Sequence, residues 1–290
     1  MKKSFLSIVT LITVAMMLVF ASCTKDGVYK PKKKISKIYE TVQTDPNPER
    51  ILKETWTWDG KLLSKVDYGD GAVVSFKYDK NQLVAITSGD SRSEFNYDSK
   101  GKYIDNVKCY DDNDLIVTYT FTHNDKNLIS GYEMEYNGGL FDKNCVRLVE
   151  NVFRFLAPEI AQNEAQEFVK NANSNLKGDH KYKVEFTYDG KNIIGATTND
   201  GETYTYTYTE YKNPFYGLLS EWGIEGFSKN AVASYVRKVD GMPDYNYTYT
   251  YQVDGKVPTQ ATENFSWTIS MGGINSSHTE TTVTDYEYLK

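Results

Sequence analysis

From residue 50 onward apolar and polar positions alternate with period two, and the alternation is broken at short intervals by Asp- or Asn-centred turns. Trp56-Thr57-Trp58-Asp59-Gly60-Lys61-Leu62-Leu63 and Phe76-Lys77-Tyr78-Asp79-Lys80-Asn81-Gln82-Leu83 have one layout. So do Phe95 to Gly101, Phe121 to Ile129, Phe186 to Ile194 and Tyr249 to Val257. Asp59, Asp79 and Asp98 stand 20 and 19 residues apart, which is the length of two strands and two turns. Alternation sends Trp56 and Trp58, or Phe76 and Tyr78, to one face of a half-buried strand, and the Asp-Gly and Asn-rich junctions supply the positive φ of tight hairpins. The pattern predicts an all-β antiparallel meander curled into a barrel or half-barrel. Tyr204 to Tyr208 and Tyr245 to Tyr251 are its strongest strands, each with a tyrosine column on one face.

Between Cys145 and Asn173 the apolar spacing becomes helical, with Val149, Val152, Phe153, Leu156 and Ile160 on one stripe and Ala161, Ala165, Phe168, Val169 and Ala172 on another. This predicts a helical insertion at 145–173, two helices with Pro158 in the first turn of the second, packed against the sheet. The first 23 residues follow neither period. Lys2 and Lys3 precede an apolar run from Phe5 to Phe20 that ends in Ala21-Ser22-Cys23. A basic start, an apolar stretch and small residues before a cysteine read as a lipoprotein signal peptide over 1–22, cleaved before Cys23, whose acylation anchors the mature chain. The run is short of the ~20 apolar residues of a spanning helix. Thr24, rather than an Asp that retains lipoproteins in the inner membrane, points to the outer membrane. The expected organisation is signal peptide 1–22, acylated anchor and linker 23–50, and one β domain 51–290.

Removing the signal takes away Lys2 and Lys3 and no acid, so the net charge of −6 becomes −8. Such a balance excludes a nucleic-acid footprint. Lysines at 30, 32, 33, 34 and 37 are read as linker chemistry beside anionic headgroups. Cys109 and Cys145 lie in an oxidising compartment on this reading, and the spacing leaves both a disulfide and two buried thiols open.

The repeats resemble the YD-repeat style of bacterial surface proteins in a shorter, looser form. Tyr211-Lys212-Asn213-Pro214-Phe215-Tyr216-Gly217-Leu218-Leu219, followed by Phe227-Ser228-Lys229-Asn230, is similar to a family of uncharacterised envelope lipoproteins of Gram-negative gut commensals, a domain of unknown function with a porin-like fold. The resemblance implies a barrel-like meander and no activity.

No nucleophile elbow, H-E-x-x-H, phosphate loop or paired C-x-x-C is present, so the expectation is no enzyme and no cofactor. Asp111-Asp112-Asn113-Asp114 lacks the order and the closing Glu of a calcium loop, and His123, His180 and His278 are dispersed, so no metal is expected. His123 takes the slot before a turn that Tyr or Trp fills elsewhere. Binding is the better-supported class: Trp56, Trp58, Trp222 and Trp267 are candidate residues of an aromatic face for a glycan. A structural or envelope-protein partner role and an apolar cargo in the concave sheet are the alternatives. Lys77, Thr187 and Thr205, opposite the Tyr and Phe columns, argue against a membrane-spanning pore.

Overall fold

The structure is a computed structural model describing residues 26, 28–69, 71–136, 181–218, 224–271 and 274–290. The chain forms β1 (Ile35–Val42), β2 (Ile51–Asp59), β3 (Leu62–Tyr68), β4 (Val73–Asp79), β5 (Gln82–Ser88), β6 (Ser91–Tyr97), β7 (Ile104–Asp111) and β8 (Asp114–His123). It continues with β9 (Ile129–Tyr136), β10 (Lys181–Asp189), β11 (Asn192–Thr198), β12 (Thr203–Lys212), β13 (Asn230–Lys238), β14 (Tyr245–Asp254), β15 (Val257–Met271) and β16 (Ile274–Tyr288). Each strand pairs antiparallel with its neighbours in sequence, and β1 pairs with β16, so the meander is a closed barrel. The half-barrel alternative is thereby removed. Closure leaves no edge strand to recruit another chain.

Six quoted turn segments all fall between paired strands, joining β2–β3, β4–β5, β6–β7, β8–β9, β10–β11 and β14–β15. In the β4–β5 turn both Lys80 (φ 48°) and Asn81 (φ 68°) are left-handed, while Gly60, Gly190 and Gly255 take that conformation in their turns without a Cβ penalty.

The linker expectation needs correcting. β1 lies inside 23–50 and is hydrogen-bonded on both sides, by β2 and β16, because the barrel requires it to close. Upstream of it, Tyr29 is buried and its hydroxyl donates to the Pro214 carbonyl at 2.7 Å. The helical insertion 145–173, Cys145, the signal peptide and Cys23 lie outside the described residues. The single helical turn among the described residues is Ile224–Phe227.

Strand alternation sorts the wall into two chemistries. Inward residues include Val66, Val74, Ile86, Val107 and Val117 on one side and Phe186, Tyr206, Tyr235, Tyr247 and Phe265 on the other, all buried. Outward residues are mostly polar, with Ile51, Leu52 and Ile194 as exposed apolar exceptions: Lys181 pairs with Glu133 at 2.6 Å, Lys183 with Glu185 at 2.6 Å, Thr207 with Ser234 at 2.7 Å and Gln252 with Gln260 at 2.7 Å. Burying one large apolar side chain contributes about 1.5–3 kcal/mol, whereas an exposed ion pair contributes about 0–1, so the inward column stabilises the barrel and the outward one keeps it solvated. On the tyrosine side the rings stack in register, Tyr235 on Tyr247 at 4.1 Å between centroids and Tyr247 on Phe265 at 4.7 Å.

Candidate functional site

The two ends of the barrel are built differently. At the end formed by the Asp-Gly and Asp-Lys-Asn turns, the strand register shifts at the aromatic just before the turn: Trp58, Tyr78, Tyr97 and Tyr188. A bulge displaces a ladder hydrogen bond and leaves a carbonyl on the facing strand in need of a donor. The aromatic at the same slot of the following hairpin supplies it. Tyr97 donates to Leu83, Tyr188 to Ile129 at 2.7 Å, Tyr208 to Ile193, Tyr251 to Val232 at 2.7 Å and Tyr288 to Pro258 at 2.6 Å. Trp58 Nε1 donates to Ile35 at 2.7 Å in the same way. Each accepting residue sits beside a register shift, so the repeat's aromatic is a recurring side-chain bond that laces one hairpin to the next.

His123 breaks the series. Its Nε2 lies 2.8 Å from Asp26 Oδ2, and the same carboxylate oxygen accepts the Ile104 backbone N–H at 2.9 Å. Asp26 N–H donates to Lys102 O at 3.1 Å and the Asp26 carbonyl accepts from Gln82. The segment leading into β1 is therefore docked from Asp26 onward. Together with residues 213–218 it fills this end: Tyr29 contacts Trp56 at 6.4 Å and Trp58 at 5.8 Å, and Phe215 contacts Trp56 at 6.2 Å and Tyr286 at 6.0 Å.

Of the four tryptophans expected to form a platform, Trp56 is buried at 3% exposure and Trp58 is half-buried, 6.3 Å from it, so both belong to this floor. Trp267 lies near the opposite end of β15, half-buried and stacked on His278 at 6.0 Å. Trp222 lies outside the described residues. The expected single platform is therefore corrected: Trp56 and Trp58 stand at one end and Trp267 at the other, because β2 and β15 point these positions to different heights of the interior.

Toward the opposite end the interior carries acids that pattern reading missed. Glu54 accepts from Trp56 Nε1 at 2.6 Å, and burial, reinforced by the Glu40 charge, pushes its carboxyl up to about 8. Glu263 is also pushed up, chiefly by burial, with Glu40 and Glu280 adding to the shift while the Tyr249 hydroxyl opposes it. Glu54 is thus largely a neutral hydrogen-bonding group at pH 7. Nearby on the tyrosine side, Arg237 Nη2 pairs with Glu202 at 2.8 Å, with Tyr204 donating to the same carboxylate at 2.7 Å and the guanidinium within 6 Å of the Tyr204 and Tyr245 rings. The half-buried Glu202 carboxylate is satisfied by these two donors. The signal that identifies these acids is their place in an inward column, since Glu54 precedes Trp56 and Trp58 by two and four residues. Such rings, neutral carboxyls and an Arg–Glu pair can hydrogen-bond and stack on a polyhydroxylated ligand. His123 and His278 do not approach each other in these contacts, and no group of His, Cys, Asp and Glu among the described residues could hold a metal ion. Cys109 is buried with its Sγ 3.3 Å from Ser93 Oγ.

The architecture is that of a porin-like barrel, and the chain is similar in fold to a porin-like protein from Bacteroides uniformis ATCC 8492 whose crystal structure is known. The two are 12% identical, with a TM-score of 0.52 over 91% of this chain and 100% of the other. No protein-family model matches the chain, and no curated protein matches it. The likeness is one of fold; the YD-like repeats and the lipoprotein family carry no support from a family model.

Proposed function

We propose that this chain is an envelope protein of the outer membrane, held by acyl groups on Cys23, whose barrel is a packed, non-catalytic binding module rather than a pore. The observation that carries the reading is the polarity of the wall. Membrane barrels present an apolar band about 25 Å tall to lipid and line their lumen with polar groups. Here Lys77, Glu133, Lys183, Glu185, Thr205 and Thr207 face outward, and valine, isoleucine, phenylalanine and tyrosine face inward. A wall of that polarity needs a separate device to stay at a membrane, and Cys23 supplies one.

Carbohydrate is the favoured ligand class, approached through the end that carries Trp267, because that ring is partly accessible beside exposed His278 while Trp56 and Trp58 are occupied by floor contacts. Two measurements test the reading. Cys23→Ala should move the protein from the membrane to the soluble fraction, and continued sedimentation with membranes after a high-salt wash would end the anchor. The purified mature chain should bind a member of a polysaccharide panel and lose that binding on Trp267→Ala; no binding across the panel would end the glycan reading and leave a protein-partner role.

A further inference from the structure

The hairpin register places lysines at one end of the barrel. The tight turns at the floor carry Lys61, Lys80, Lys100, Lys126, Lys191 and Lys256, all exposed. Each of these turns also holds an Asp, and the surplus comes from exposed Lys30, Lys32, Lys229 and Lys290 with half-buried Lys33 and Lys34. Four connections of the opposite end, residues 89–90, 112–113, 199–202 and 239–244, hold Asp90, Asp112, Asp200 and Asp240 exposed and no Lys or Arg, and a fifth, 43–50, holds Asp45 and Glu49 with Arg50. Toward that end the cations Arg50, Lys53, Arg92, Lys181 and Lys238 are each paired with an acid, so the surplus of positive charge among the described residues lies at the floor.

That face is also where the chain enters the barrel. Asp26 is fixed there by Ile104, Lys102 and His123. Only two residues, Thr24 and Lys25, separate it from Cys23, a reach of about 10 Å at full extension. The Debye length at physiological ionic strength is about 8 Å, so an anchor at Cys23 holds the lysine end within roughly one screening length of the headgroups. The acidic end is a strand length away, roughly 25 Å for a strand of seven to ten residues at 3.3 Å each, and is screened from the same surface.

We propose that the lysine-bearing floor is a membrane-docking face, which seats the barrel end-on against anionic lipid headgroups and turns the acidic, Trp267-bearing end away from the bilayer. The proposal rests on acylation at Cys23. It gives Asp26 and His123 a purpose that the repeat alone does not: the latch converts what would be a free tether into a short fixed one. With the latch closed, the barrel cannot tumble far from the surface, and phosphate-bearing headgroups supply counter-charge for the lysines in excess of the turn aspartates.

The test uses the acylated protein incorporated from outside into vesicles of neutral lipid or of neutral lipid with 30% anionic lipid. The mass of the N-terminal peptide is read first: an unmodified Cys23 would sink the anchor reading, independently of docking. With acylation established, the lysines are labelled by a membrane-impermeant amine reagent and quantified by peptide mass. Lys61, Lys80, Lys126, Lys191 and Lys256 should label at least five-fold more slowly on anionic than on neutral vesicles, and protection should vanish at 1 M salt. Lys53 and Lys183, far from the floor on the wall, should label equally on both. Equal rates at floor and wall, or protection that follows the wall lysines, would overturn the proposal. A variant with Lys61→Glu, Lys80→Glu, Lys126→Glu and Lys191→Glu should keep its thermal midpoint and its acyl group while Lys256 loses its protection; retained protection at Lys256 would also overturn it.

Discussion

The turn-laced floor and the acidic end are made from the same alternating strands, yet their interiors are held in different ways. At the floor six of the bulges are answered by an aromatic donor, and two chain segments fill the space between Trp56, Phe215 and Tyr286. Toward the acidic end the inward column includes Glu54 and Glu263, whose neutral forms burial favours, and an Arg–Glu pair flanked by tyrosines. The difference teaches that alternation fixes which residues face inward but not what the inside is for. Aromatics that would read as a binding platform are fastenings where a bulge needs a donor, whereas polar groups in the same column remain where the interior stays hydrogen-bonded.

The largest effect that separates the ends should come from the tryptophans. Trp56→Ala should cost about 3–5 kcal/mol of stability, the range for removing a buried large ring, while Trp267→Ala should cost less, about 1–2 kcal/mol, because its ring is only partly buried. Denaturant melts of the two variants measure it, and equal losses would erase the distinction between floor and rim.

Next in size is a pH effect at the acidic end. Glu54 holds its proton to about pH 8 in the folded chain and releases it near 4.5 when unfolded, so its contribution is fully present below about pH 4.5 and is lost as pH rises through 8. Glu54→Gln should therefore raise stability at pH 8 by on the order of 2 kcal/mol and change it little at pH 4.5, since the amide cannot ionise and still accepts from Trp56. Thermal melts across pH 4.5–8.5 report the slope; identical pH profiles for the two proteins would show that Glu54 does not titrate in this range.

A smaller loss should follow at the floor from Tyr188→Phe, which leaves the Ile129 carbonyl without its side-chain donor and should cost about 1–2 kcal/mol. Substitution of solvent-facing Tyr39, which stacks under Arg50, is the matched comparison and should cost less. The smallest expected change is a gain: Asp112 is left-handed at φ 51° in the β7–β8 turn, and Asp112→Gly should add about 0.5 kcal/mol, read as a shift of the denaturation midpoint.

Period-two alternation and the turn residues were enough to determine the antiparallel meander, the inward placement of the tyrosine columns and the outward placement of Lys77, Thr187 and Thr205, because hairpin chemistry and strand pleat are local properties of the chain. The slot that His123 occupies was visible as a departure from the repeat. Its partner was not, since Asp26 lies 97 residues away and nothing local marks it as docked. Barrel closure was likewise a tertiary decision: Ile35 to Val42 sits among lysines and prolines that read as linker, and it becomes a strand because β2 and β16 leave two edges that only it can satisfy. The same holds for the tryptophans. Sequence set Trp56 and Trp58 two residues apart on one face, but whether that face met solvent or Tyr29 and Phe215 depended on which distant segments the closed barrel brought to its floor.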